Sequence, residues 1–506
     1  MKRQVTNVIA TLGFILLFVT FAVGVLVGVL FLVPGAALGD LVAVNERDTQ
    51  IVYCDDALKT AFARGNFIIE SDNCAVTVQV NTAGYVGEST VVVNEHATGI
   101  AFNSLRRTLI EWTTTLVEGV PYCKIKVLEP TGIVVNSKPT MVYLNLSSQT
   151  ATHNFILENN YSNVTFCYGD DVDPNREHLK INNLVVRSAS SVNIPTYDTI
   201  TISEVALSCN ATKFNCGGIV ENNVTVRGAR NTLNFNNTIK GDLLVYESGD
   251  MNKIRATKTG NILYNANNGS LGVNECGQLK VNTTNAKVNI DTVKGGAVMS
   301  TVNGSLSVGN ITAGGLDFTA TATANVNVSG GLVGDAVVNN TGVGKINLQG
   351  VVGNVDIESS RVNGGNIDVA FGTAGAYSTK IRGYDGNITV KNIYGNVDIR
   401  VRDSGAGGAA GRANITAYFN RITNNDNQIV AGAYVNSPSG MGNINVYLNS
   451  GWNSFDLYVE DARSAWAFPD DDRKARQLIK GHNNMSGSNS ARGKLTVTTP
   501  ADFRIY

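Results

Sequence analysis

Proline is scarce in this 506-residue sequence, nine in all, as are histidine (four), tryptophan (three) and methionine (six). So few prolines exclude a collagen-like or polyproline chain. The histidines, His96, His153, His178 and His482, form no His-x-x-x-His or Cys/His cluster, which excludes the usual zinc motifs and implies no metal. Charged residues make up only 16% and nearly cancel to a net of -1, so the basic footprint of a nucleic-acid binder is missing. There is also no Gly-x-Ser-x-Gly elbow, phosphate-binding loop or dinucleotide fingerprint, so no cofactor is implied. These absences together predict a protein that is not an enzyme.

What the chain has instead is glycine, 52 residues, and asparagine, about an eighth of the total. Such a composition supplies many turns, and the length favours a one-dimensional array over a single core. Lys2 and Arg3 precede an apolar run over 8–33, interrupted by Gly and Thr. A run of about 26 residues is long enough to span a bilayer as an uncleaved signal-anchor, with 1–7 cytoplasmic and the remainder outside. Cleavage near Gly35-Ala36-Ala37 is the alternative.

Seven cysteines lie in the first half of the ectodomain without CxxC spacing. Outside the cell, disulfides are the natural reading, with Cys54–Cys74, Cys123–Cys167 and Cys209–Cys216 as sequence neighbours and Cys276 free. Buried free thiols are the other reading. About fifteen Asn-x-Ser/Thr sequons occur, against about ten expected by chance from this composition; they include Asn145, Asn160, Asn163, Asn210, Asn223, Asn268, Asn303, Asn387 and Asn414. In a glycosylating host these are candidate glycan sites.

A short unit recurs from Gly260 onward: Gly, a small polar residue, aliphatic, polar, aliphatic. Examples are Gly304-Ser-Leu-Ser-Val, Gly344-Lys-Ile-Asn-Leu, Gly353-Asn-Val-Asp-Ile, Gly365-Asn-Ile-Asp-Val, Gly386-Asn-Ile-Thr-Val, Gly395-Asn-Val-Asp-Ile and Gly442-Asn-Ile-Asn-Val. The step of about nine or ten residues suits strand plus turn. Period-two alternation puts Ile, Val and Leu on one face, and glycine supplies the positive-φ turn. One such strand cannot bury its apolar face alone, so the unit predicts a stacked short-coil β-solenoid, with Asn ladders between coils. A β-sandwich shares the spacing but needs a thicker, more aromatic core.

These units resemble the bacterial adhesin-like β-solenoid domain family of unknown function, over about 180–400 and less closely over 440–500. The resemblance implies an all-β solenoid behind a membrane helix, an adhesive role and no catalytic motif. The expected organisation is an irregular β domain or N-terminal cap over 40–180, the repetitive solenoid over 181–410 and a C-terminal β region or cap over 411–506. Leu105, Leu109, Trp112 and Leu116 fall at helical spacing, although the Thr run there suits a strand equally well. Asp470 to Lys480 reads as a short exposed helix.

β-Helical lyases and hydrolases work with paired carboxylates, so Asp356, Asp368, Asp398 and the Asp470–Asp472 run are candidates; in the repeat they share a slot with Asn347, Thr389 and Asn445, as a solvated face tolerates. Asp171-Val-Asp-Pro-Asn has alternating oxygen ligands but lacks the turn Gly and distal Glu of a calcium loop. Aromatics concentrate near the C-terminus, where Tyr447, Trp452 and Trp466 are the candidate binding surface for a glycan or cell-surface protein. The leading expectation is a membrane-anchored surface protein, adhesin-like or a scaffold. A membrane-anchored β-helical polysaccharide lyase or hydrolase, and a self-assembling envelope or coat component, are the alternatives.

Overall fold

The computed structural model describes residues 45–53, 63–72, 75–81, 91–100, 109–128, 133–137, 141–147, 153–170, 172–246, 252–342, 344–359, 365–383, 386–401, 414–422, 424–431, 442–471, 474–487 and 489–506, together with Thr20, Asp56 and Thr60. The apolar segment 8–33 falls outside them apart from Thr20. Among the described residues no helix is long and apolar enough to cross a membrane.

The repeat folds as a β-solenoid of two long sheets, because each nine- or ten-residue unit contributes one strand to one sheet and the next unit contributes to the other. Asn285–Val293, Ser305–Ile311 and Asn325–Val333 belong to sheet I, whereas Ala297–Thr301, Leu316–Ala320 and Ala336–Asn340 belong to sheet II. Pairing within each sheet is parallel and in register from coil to coil, as in Val288↔Leu306↔Val326 and Met299↔Phe318↔Val338. Those inward positions are all buried. Inward and outward residues alternate, as in Leu279–Thr283, which reads buried, exposed, buried, exposed, buried. The two inner faces meet in one continuous core of Val, Ile, Leu and Phe running through the stack. Parallel pairing passes through residue 180 as well, since His153–Asn160 pairs with Leu179–Ser188.

The repeat glycines are explained by two causes. Gly386 and Gly442 adopt positive φ, 95° and 89°, as the sequence pattern predicts. At Gly353, by contrast, a Cβ would lie 2.1 Å from the carbonyl oxygen of Gly334 in the preceding coil. Close backbone approach between coils, and not a left-handed turn, requires that glycine.

Each end of the stack has an intercalated coil and an antiparallel lid. At one end Asn66–Asp72 lies between Val120–Leu128 and His153–Asn160, and Ala75–Asn81 lies between Met141–Ser147 and Asn163–Tyr168. Leu109–Val117 then closes sheet II antiparallel to Val120–Leu128, through a turn with φ of 51° at Glu118 and 82° at Gly119. Val91–Ile100 continues sheet I antiparallel to Met141–Ser147 and Ile133–Ser137, and Asn45–Tyr53 pairs antiparallel on its other side. At the other end Asn489–Thr498 is inserted between Asn427–Val430 and Asn453–Glu460, and Asp502–Ile505 between Ile444–Leu448 and Ser464–Ala467. Gly481–Met485 and Arg476–Gln477 add antiparallel strands outside. Among the described residues the two sheets therefore end on antiparallel strands at both ends, at the first on the nine-residue strands Leu109–Val117 and Asn45–Tyr53.

Both helical alternatives give way to strands where the structure describes them. Residues 109–117 form the strand named above, as their β-branched threonines prefer. In 470–480 a single turn, with Ala475 N–H donating to the Asp471 carbonyl at 2.7 Å, leads into the edge strand Arg476–Gln477. Pairing with Trp466 and Ala467 satisfies backbone groups that a helix of this length would leave open.

Candidate functional site

The long outward face of sheet I is built by register. One outward position can be followed coil by coil from Thr165 to Trp466; it is asparagine at Asn193, Asn215, Asn234, Asn289, Asn327, Asn347 and Asn445. Neighbouring amides bond along the axis: Asn234 Nδ2 donates to Asn215 Oδ1 at 2.8 Å, and Asn347 Nδ2 to Asn327 Oδ1 at 2.6 Å. The asparagine excess thus serves the predicted ladders.

A second ladder runs along the turns, where it accounts for several sequons. Asn223 Oδ1 accepts the backbone N–H of Asp242 at 2.9 Å, Asp242 Oδ1 that of Asn261 at 2.8 Å, and Asn261 Oδ1 that of Gln278 at 2.9 Å. Asn210, Asn303 and Asn414 accept the N–H groups of Ala229, Thr323 and Asn443 in the same way. After such a turn asparagine the repeat places an inward aliphatic and an outward Thr, as in Asn223-Val224-Thr225, Asn387-Ile388-Thr389 and Asn414-Ile415-Thr416. A sequon is therefore what the coil grammar spells. Asn163 accepts from Ser191 Oγ at 2.6 Å, Asn268 from Asn285 Nδ2 at 2.9 Å, Asn160 is exposed, and Asn145 is half-buried on Met141–Ser147.

The three aromatic candidates separate. Tyr447 is stacked between Tyr418 and Tyr506, with ring centroids 4.6 and 4.7 Å apart and planes within 12°. Burial and its tyrosine neighbours push its hydroxyl pKa up. Because both its faces meet other rings, only the edge of the Tyr447 ring is open to a ligand. Trp452 packs edge-on against Phe455 at 5.9 Å and tilted against Phe468 at 6.2 Å, plugging the end of the core. Trp466, 39% exposed, stands outward beside Arg504 and Gln477 in register.

The expected disulfide pairings Cys123–Cys167 and Cys209–Cys216 are not formed. Cys123 and Cys167 stand on strands of opposite sheets, and Cys209, in the turn after Ile200–Ser208, fills a different slot from Cys216 at the end of Lys213–Cys216; Cys167, Cys209, Cys216 and Cys276 are free thiols. Cys216 is fully buried and donates to the Gly218 carbonyl at 3.7 Å; Cys209 donates to Asn231 Oδ1 at 3.9 Å. Burial pushes the Cys216 and Cys276 thiols up to about 12. Cys54 and Cys74 lie outside the described residues.

Of the carboxylate candidates, Asp356 and Asp398 share one outward column of sheet II on either side of Lys380, whereas Asp368 lies on sheet I. Asp356 pairs with Lys380 at 2.9 Å. Asp398 pairs with Arg382 and Arg400; burial raises its pKa, but the two guanidinium groups outweigh this and hold the carboxyl low. Asp368 is an outward, half-buried member of the sheet I column, and Asp470 is exposed. Asp173 caps Asn175 N–H at 3.0 Å and pairs with Arg176 at 3.3 Å, so the loop proposed for calcium is turned onto its own arginine; Asp171 is outside the described residues. Among the described residues no three His, Cys, Asp or Glu gather to hold a metal.

Sequence reasoning missed a groove of about 480 Å³ on sheet I, lined by Asn234, Arg255, Gly272, Asn274, Asn289 and Asp291. Its residues come from four successive coils of unequal length, so no local motif marks it. No family model and no curated protein matches this chain. One solved structure, a "putative cell adhesion protein" from Clostridium sporogenes, is 7% identical, covers 91% of this chain and 99% of its own, and has a TM-score of 0.15.

Proposed function

We propose that this chain is a surface-displayed, adhesin-like binding protein or scaffold, tethered to a membrane through 8–33 with its solenoid outside the cell, and without catalytic activity. The observation that carries this reading is the outward face of sheet I: one polar column, mostly amide and hydroxyl, continues in register from Thr165 to Trp466. Such a face offers a polar group, most often an amide or hydroxyl, at steps of about 4.7–4.9 Å, which suits an extended ligand better than a single small substrate. The carboxylates considered for lyase or hydrolase chemistry support the same reading, because Asp356 and Asp398 are each tied to cations on the solenoid flank.

The test is a glycan array and whole-cell binding measured with the full chain, alongside an assay for polysaccharide cleavage. Saturable binding without cleavage is the expected result. Failure to bind any glycan or cell, or turnover of a polysaccharide, overturns the proposal.

A further inference from the structure

We infer that the sheet I groove and the row of cations beside it form a site for a linear acidic polysaccharide, one carrying carboxylates along its length. This rests on the binding role proposed above and names the ligand class. Lys213, Lys253 and Lys287 occupy a single register column in which Thr232 and Ser270 fill the intervening coils. Alternate coils set these ammonium-bearing positions about 9.5 Å apart. Arg255, two residues after Lys253 on the same outward face, adds a fourth charge and forms the groove wall.

All four side chains are exposed, and among the described residues none is in an ion pair. Their neighbours behave differently: Lys240 is bound to Glu221 at 2.7 Å, and Lys258 and Lys294 hold Glu275 at 3.0 and 2.6 Å. A like-charged row that makes no ion pair among the described residues, on a chain of net charge -1, is complementary to a polyanion.

The groove contributes shape. Gly272 is the one glycine in the outward column, between Arg255 and Asn289. Its backbone does not demand glycine, since a Cβ there would meet nothing nearer than 3.9 Å. The missing side chain opens the floor, leaving the amides of Asn234, Asn274 and Asn289 and the carboxylate of Asp291 to meet sugar hydroxyls. The chemistry favours a glycan over a nucleic acid because the groove presents no exposed ring for base stacking; its only aromatic, Phe235, is 2% exposed.

The test uses the full chain with polygalacturonate as probe, neutral dextran and single-stranded DNA as controls, and two variants. One replaces Lys253, Arg255 and Lys287 with Ser, the residue type the column already accepts; the other, Gly272→Gln, fills the floor without changing charge. Polygalacturonate should bind, dextran should not, and added salt should weaken binding. Affinity should fall on the order of tenfold in the triple variant and measurably in Gly272→Gln, with thermal unfolding of both near that of the unsubstituted chain. Equal binding by both variants, or DNA binding as tight as polygalacturonate, overturns the inference. If the chain binds other glycans but not polygalacturonate, this site assignment fails while the binding role stands; if it binds no glycan or cell, both fail.

Discussion

Asp335 accepts, through Oδ1, the backbone N–H of Asn354 at 2.8 Å, nineteen residues further along the chain. Asn354 repeats the gesture toward Ser378 at 2.9 Å. Each coil thus holds the turn of its successor by a side-chain acceptor. Replacing Asp335 with Ala leaves that N–H to water and should cost about 0.5–1.5 kcal/mol. Denaturant titration of the single and the Asp335→Ala, Asn354→Ala double variant checks this, and a double variant costing no more than either single one would contradict a ladder of separate bonds.

Gly353→Ala and Gly272→Ala should differ sharply. The first forces a methyl to within 2.1 Å of the Gly334 carbonyl oxygen, whereas the second meets nothing nearer than 3.9 Å. Overpacking of this kind costs about 1–3 kcal/mol or more. Thermal unfolding of the two proteins side by side is the measurement, and equal midpoints would refute the close-approach account.

His153 gives the solenoid a pH dependence. It is 3% exposed beside Phe67 and Phe155, its Nδ1 has no hydrogen-bond partner, and burial pushes its pKa down to about 4 from 6.5. Because the folded pKa is the lower one, the unfolded chain takes up the proton first as pH falls. The stability is fully present above pH 6.5 and is lost as pH falls through that window to about 4, amounting to about 3 kcal/mol. His153→Phe should flatten the stability profile between those values; an unchanged slope would assign it to other groups.

The buried thiols should be inert. In native protein an alkylating reagent should leave Cys209, Cys216 and Cys276 unmodified and label them only after denaturant is added, since burial both blocks access and disfavours the thiolate. Peptide mass mapping at short reaction times reads this directly. Rapid labelling of Cys216 in the native state would mean that its coil opens.

The fold was legible where each coil repeats one grammar. Units such as Gly353-Asn-Val-Asp-Ile encode a turn, an inward aliphatic and an outward polar residue locally, and Val355–Ser359 forms accordingly. The intercalation was not legible, because Gly493-Lys-Leu-Thr-Val obeys the same grammar whichever coils flank it. Disulfides were misjudged because the coil separates neighbours in sequence: Cys123 and Cys167 go to opposite sheets, and Cys209 sits in a turn while Cys216 ends a sheet I strand. The cation row was hidden for a related reason: Lys213, Lys253 and Lys287 align only once the length of every intervening coil is known.

The inserted strands also set an order of events. Residues 489–505 leave the ribosome after 453–467, yet in space they lie inside them. That end therefore cannot be completed by accretion, turn upon turn, as the chain appears. The outer turn has to wait for its inner neighbour, an interval of seconds at about 5–20 residues per second. For that time the nascent protein carries the raw edge that the finished one encloses.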